Sequence, residues 1–259
     1  MHVTGFQFDI AWEDRPANYG AVREAIRTAE IPPGGLIVLP EMFSTGFSMD
    51  IAATAEPGET TETEAFLRDL AVETGAAVMG GFARPGAKAG FGANELSVFA
   101  PDGGRLANYR KIRTFRYTRE YDHYERGAEV RVFDWGGFRI CPLICYDLRF
   151  PELFRRGAAL GAQLFTVIAS WPAVREDHWV TLLRARAIEN QAYVVGVNRT
   201  GRDPNWDYPG RSVAIDPHGK IVSDAGAATG FARAEIAVEV VEDWRREFPA
   251  LKDLDAGGC

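Results

Sequence analysis

Lysine is scarce in this 259-residue chain. Of 29 basic residues only Lys88, Lys111, Lys220 and Lys252 are lysine, and the other 25 are arginine. The skew as a whole reads as genomic base composition, so the question is whether any single lysine stands where arginine would not serve. Cysteine is rarer still. Three residues, Cys141, Cys145 and Cys259, exclude a disulfide framework, and so low and odd a count fits a reducing, cytoplasmic compartment. No Cys-x-x-Cys pair exists, and the four histidines (His2, His123, His178, His218) are scattered, so neither a zinc site nor any other metal or cofactor is expected. Basic charge is in deficit, 36 acids against 29 bases for a net −7, which disfavours nucleic acid and anionic membranes as partners. The N-terminus lacks a basic segment leading into an apolar stretch, so no signal peptide is expected. The longest uncharged run, Gly157 to Val174, is interrupted by Gln163, Thr166, Ser170 and Pro172; it reads as a helix end, a buried strand and a loop. Also missing are a Gly-x-Ser-x-Gly elbow, a phosphate-binding Gly-x-x-x-x-Gly-Lys-Ser/Thr, a Gly-x-Gly-x-x-Gly and a His-Glu-x-x-His, which weakens serine-hydrolase, nucleotide-binding and metalloprotease readings.

What is present suits a globular α/β protein. Hydrophobic residues make up 46%, and no repeat or low-complexity linker divides the chain, so one domain over residues 1–259 is expected. Val3 to Ile10, Leu36 to Leu39, Ala76 to Phe82, Leu164 to Ala169 and Tyr193 to Asn198 read as strands. Hairpins are expected around Pro101-Asp-Gly-Gly104, around Gly136-Gly137 and around His218-Gly219, with 112–127 as a loop. Helices are expected at 18–30, from the capping-box spacing Thr61-x-x-Glu64 to about Thr74, from Pro151, at 176–190 and at 238–248. Strands alternating with helices argue for layered α/β architecture, which usually places its chemistry at strand ends.

Three polar residues stand at such ends. Cys145 closes an apolar strand ahead of a polar turn and Pro151. It is either a small core residue or a nucleophile at a pocket floor, with backbone N–H groups ahead of it for an oxyanion. A thiol nucleophile needs a base and a nearby cation. Glu41, after a buried strand and Pro40, could be the base or a surface carboxylate; Lys111, in Asn-Tyr-Arg-Lys-Ile-Arg, could be the cation or part of a solvated basic face. His178, in Glu-Asp-His-Trp, is expected to cap or pack.

Leu39-Pro-Glu-Met42, Tyr109-Arg-Lys111 and Cys145-Tyr-Asp-Leu-Arg-Phe-Pro-Glu152 resemble, in order and spacing, the three signature segments of the carbon–nitrogen hydrolase (nitrilase) superfamily. That resemblance implies a four-layer α-β-β-α sandwich, assembly as a homodimer or higher homo-oligomer, and a Glu-Lys-Cys triad of Glu41, Lys111 and Cys145. It also places a supporting glutamate at Glu120. The segments Phe43-Ser-Thr-Gly-Phe47, Ala169-Ser-Trp-Pro-Ala173, 182–191 and Gly196-Val-Asn-Arg-Thr-Gly201 resemble the bacterial omega-amidase branch, whereas the loops 84–91 and 112–122 depart from it. The implied reaction is hydrolysis of a small omega-amide acid through a cysteine thioester, with Glu41 as general base and Lys111 and the Tyr146 backbone N–H as oxyanion donors. The substrate's carboxylate would need an arginine: Arg149 and Arg116 are the candidates, although Arg149 could instead pair with Asp147 or Glu152. Trp171 could wall the pocket or pack in the core; Cys141 is expected in the core and Cys259 as a bystander. The competing readings are another amidase, a carbamoylase or a nitrilase of the same superfamily, a catalytically silent interaction module on the same fold, and a redox pair of Cys141 with Cys145.

Overall fold

The structure, a computed structural model, describes residues 1–253; residues 254–259, Cys259 among them, lie outside the described residues. The chain opens with β1 (His2–Gln7), α1 (Arg15–Arg27), β2 (Leu36–Val38), α2 (Ile51–Thr54) and α3 (Glu62–Thr74). An antiparallel trio follows, β3 (Ala77–Pro85), β4 (Gly92–Phe99) and β5 (Arg105–Arg110), then the short β6 (Tyr124–Glu125). The second half contains β7 (Phe133–Trp135), β8 (Phe138–Ile144), α4 (Pro151–Ala159), β9 (Leu164–Ala169), α5 (Glu176–Asn190) and β10 (Tyr193–Asn198). It ends with β11 (Thr200–Arg202), β12 (Asp207–Pro209), β13 (Val213–Ile215), β14 (Ile221–Asp224), β15 (Gly230–Glu235) and α6 (Val238–Glu247).

Two mixed sheets result. One runs β15-β1-β2-β3-β4-β5 with β6 beside β4; the other runs β14-β13-β10-β9-β8-β7. Strand alternation sorts the side chains into layers. Val3, Leu36, Val38, Ala77, Met79, Leu96 and Val98 leave one face of the first sheet and pack against the second. Their neighbours Phe6, Ile37, Leu39, Ala76 and Val78 leave the other face and meet Val22 and Ile26 of α1 and Leu67 and Leu70 of α3. On the far side, Phe154 of α4 packs against Phe165 of β9 with the rings tilted, and Trp179 and Leu183 of α5 lie over β10. The order helix, sheet, sheet, helix is the expected sandwich. The sheets approach closely at Gly5, where a Cβ would come within 2.6 Å of Val197, so no larger residue fits without moving the layers apart.

Local signals explain most boundaries. Thr61 and Glu64 form the reciprocal capping box at the head of α3, and Gly75 closes that helix in the left-handed conformation. α1 starts three residues earlier than its apolar spacing suggests, because Asp14 caps Ala17 N–H (3.0 Å) and Pro16 sits in the first turn. The 112–127 segment is not wholly irregular: it holds two 3₁₀ turns and β6. The ribbon β11–β12 and the edge strand β15 were not expected from the sequence. Among the described residues no helix is long and apolar enough to cross a membrane.

Candidate active site

Three strand ends from both sheets converge. After β2 the backbone stays zipped to β3: Leu39 N–H donates to Met79, Gly81 N–H to Pro40 and Phe43 N–H to Gly81. Position 81 must be glycine, since a Cβ there would lie 2.9 Å from Glu41 Cα and 2.8 Å from the Met42 nitrogen. That close passage fixes where Glu41 points. Lys111, one residue beyond β5, is held from both sides, its N–H donating to Asn94 and its carbonyl accepting from Gly127. Cys145 follows β8 with φ +47°, a conformation that costs a non-glycine residue energy and is found at functional sites.

The carboxylates, the lysine and the thiol are enclosed. Glu41, Lys111 and Glu120 are 0%, 1% and 0% exposed. Lys111 Nζ donates to Glu41 Oε1 and Glu120 Oε1, both at 2.9 Å. Glu41 also accepts from Asn94 Nδ2 (2.7 Å) and the Ser170 backbone N–H (2.8 Å); Glu120 accepts from the Phe115 backbone N–H and, at 3.3 Å, from Asn94. Burial alone would push the Lys111 ammonium down, but Glu120 and Glu41 outweigh it and hold it well above the usual lysine range. Burial raises the Glu120 carboxyl, against the pull of Lys111. Burial, and then Glu41, push the Cys145 thiol well up despite Lys111, so the thiol rests protonated and needs a base beside it.

Asp147, two residues past Cys145, ties the cysteine turn to the lysine strand. Its carboxylate accepts from the Ile144 N–H (3.1 Å), the Tyr109 hydroxyl (2.7 Å) and the Arg113 N–H (2.8 Å), residues that flank Cys145 and Lys111. Asp147→Asn is expected to lower kcat by about 10–100-fold, because an amide puts a donor against donors and lets the turn drift. Burial raises the Asp147 carboxyl to about 6, above its unfolded value near 3.8. A raised folded value means stability present below pH 4 that is lost as pH rises through 6. The stability gap between wild type and Asp147→Asn should therefore be wider at pH 4 than at pH 7 by up to ~3 kcal/mol, read from urea midpoints. A gap that narrows toward acid would contradict this account.

Around this cluster lies a small pocket. Cys145 and Lys111 line it together with the rings of Phe47, Phe115, Tyr146 and Trp171. Trp171 proves to be wall and core at once, 3% exposed, with its indole 5.5 Å from Trp179. Arg149 lines the pocket, stacked 4.7 Å over Trp171, with Nη2 3.2 Å from His178 Nδ1. It pairs with neither Asp147, which is spent on Tyr109 and two backbone N–H groups, nor Glu152, which Arg113 takes at 2.8 Å. His178 thus contacts Arg149 and does not act as a cap. Arg116 is corrected: it is exposed, over the Tyr121 ring at 5.2 Å, and does not line the pocket; Arg175 lines it instead. Cys141 is core, fully buried.

With that geometry in place, the comparison with known proteins is direct. The carbon–nitrogen hydrolase family model matches residues 3–246. The chain belongs to the carbon–nitrogen hydrolase family. It is 40% identical to omega-amidase YafV of Yersinia enterocolitica, covering 98% of this chain and 97% of that protein. It is 31% identical to the 2-oxoglutaramate amidase of Bacillus subtilis, covering 97% and 96%. Among solved structures, a carbon–nitrogen hydrolase superfamily protein of Xanthomonas campestris with an arsenic adduct in its active site superposes with a TM-score of 0.92 at 31% identity, covering 100% of this chain and 98% of that one. Asn94, Ser170 and Asp147 are the residues of this hydrolase that sequence reasoning missed. A polar Asn94 in the buried strand β4 was the available signal for the first.

Proposed function

We propose that this hydrolase cleaves the omega-amide of a small carboxylic acid, of 2-oxoglutaramate or succinamate type, to the acid and ammonia through a Cys145 thioester. The observation that carries the proposal is the meeting of Cys145 and Lys111, the latter bonded to Glu41 at 2.9 Å, at one small pocket that also presents the Arg149 guanidinium without a carboxylate partner among the described residues. The names of the relatives at 40% and 31% identity support it.

The chemistry follows from the charges. Glu41 takes the thiol proton as sulfur attacks the amide carbon. Lys111, kept protonated by two carboxylates, and the Tyr146 N–H stabilise the oxyanion, a contribution of roughly 3–4 kcal/mol per donor in other enzymes. Glu41 returns the proton to departing ammonia, then activates the water that releases the acid and restores the thiol. Glu120, bonded to the Lys111 ammonium beside Glu41 and sharing the Asn94 amide with it, holds Lys111 in place. Arg149 takes the substrate's carboxylate. We place the enzyme in the cytoplasm as a homodimer or larger assembly, with light scattering of the purified protein as the check; a monomer would refute the latter.

An ammonia-release panel tests the activity. Turnover is expected on 2-oxoglutaramate and succinamate, with kcat/KM at least about 100-fold above that on carbamoyl amino acids or simple nitriles, the scale of a charge-assisted anchor. Preference for a carbamoyl amino acid or a nitrile would overturn the assignment.

A further inference from the structure

The pocket contains a second arginine for which the chemistry above has no use. Arg175 ends the 3₁₀ turn Ala173–Arg175 just before α5, and its side chain lines the same pocket as Cys145 and Lys111. Its guanidinium sits among three rings, 5.4 Å from Phe115, 5.3 Å from Tyr117 and 5.6 Å from Trp206. Among the described residues its buried Nη2 has no hydrogen-bond partner. Two more deeply buried arginines each have a carboxylate, Arg186 with Glu189 at 3.0 Å and Arg199 with Asp9 at 2.9 Å, although Arg199 also keeps one buried nitrogen without a partner among the described residues. Arg175 and Arg149 have no carboxylate within 4.0 Å among the described residues.

One indole braces both. Trp171 lies under the Arg149 guanidinium and donates its Nε1–H to the Arg175 carbonyl at 2.8 Å. The two cations sense each other: burial, and the charge of Arg175 working against Tyr146, hold the Arg149 guanidinium below its usual value. Two guanidiniums facing one small space with no counter-charge are mutually repulsive, and an anion entering between them relieves that repulsion. The aromatic surround holds the Arg175 fork flat and limits the rotamer freedom that an anion would otherwise have to restrict.

We infer that Arg175 is a specificity-determining residue, forming with Arg149 a two-guanidinium clamp on the acid end of the substrate, away from the scissile amide. The inference rests on the omega-amide-acid reading and extends it. A lone carboxylate saturates one guanidinium fork; a 2-oxo acid offers a further oxygen beside its carboxylate, so the pair fits a 2-oxo acid amide better than a plain one.

The test compares wild type, Arg175→Gln and Arg175→Lys on 2-oxoglutaramate, succinamate and the neutral pentanamide. Arg175→Gln is expected to raise KM for 2-oxoglutaramate about 10–100-fold, the loss of a hydrogen bond between charged partners, with kcat changing far less. The KM rise should be smaller for succinamate and smallest for pentanamide. Arg175→Lys should recover part of the affinity, having the charge without the fork. Titration of 2-oxoglutaramate into Cys145→Ala, with and without Arg175→Gln, should give the same ratio of affinities without turnover. An unchanged KM on 2-oxoglutaramate, or an equal rise on pentanamide, would overturn the role of Arg175. If wild type itself handles pentanamide as well as 2-oxoglutaramate, the omega-amide-acid reading falls, and the clamp with it; that outcome is visible before any variant is made.

Discussion

Cys145→Ala is expected to abolish ammonia release, with a loss of about 10⁴-fold or more, the scale on which removing a covalent nucleophile acts in other hydrolases. Among the described residues no second thiol can substitute. Cys141 lies fully buried in the core, its Sγ so near Gly157 that a Cβ on that glycine would come within 2.8 Å. Burial pushes the Cys141 thiol far above the usual range, which leaves it inert. The variant should still fold, because alanine at φ +47° bears the same strain that cysteine already bears, and the site loses one small atom from a pocket wall. Two measurements then separate chemistry from structure. The thermal midpoint should stay within a few degrees of wild type, while intact-protein mass after substrate addition should show the acyl adduct in wild type alone. Rapid alkylation by iodoacetamide, blocked by substrate, should likewise disappear. Cys145→Ser should be nearly silent too, since a hydroxyl is far harder to deprotonate than a thiol for a carboxylate base. Full turnover by Cys145→Ala would remove the thioester route.

The parts legible in the sequence were those written locally. The capping box at Thr61 and Glu64, the glycine turns and Pro151 each act within a few residues, so the elements they bound stand where expected. The three strand-end residues were legible as a set only through the resemblance, because Glu41 and Lys111 are 70 positions apart in the chain and yet 2.9 Å apart in space. The same distance in sequence hid Asn94, which meets Glu41 across 53 positions, and the Ser170 N–H, which meets it across 129. β15 was illegible for a different reason. It pairs with β1 along its whole length, but as an edge strand it alternates Phe231 and Arg233 with small residues and presents no apolar run. Arg175 was not legible as a pocket residue, because the sequence does not show that its guanidinium lacks a partner. That lack exists only once the chain is folded.

Lys111→Arg keeps the positive charge and is nevertheless expected to cost about 10²–10³-fold in kcat, the range for one lost oxyanion donor. The ammonium occupies a point between two carboxylate oxygens at 2.9 Å, with the Phe47 ring 5.0 Å away and 1% of the side chain exposed. A guanidinium is broader and planar, and its paired N–H groups would grip Glu41 side-on, occupying the oxygen that must accept the thiol proton. Charge alone would be satisfied, so the fold should survive with a modest fall in thermal midpoint. Lys111→Met makes the converse change: shape is nearly kept, charge is lost, and Glu41 and Glu120 are left facing each other in a dry site. One of them must then take up a proton, and stability should fall with a loss of activity at least as deep. The contrast between a folded, inactive arginine variant and a destabilised methionine variant separates geometry from charge at this position. An arginine variant active within about tenfold of wild type would mean that a point charge is not required. Lys111 would then rejoin the other lysines as a product of base composition, and the oxyanion would have to be held by backbone N–H groups alone.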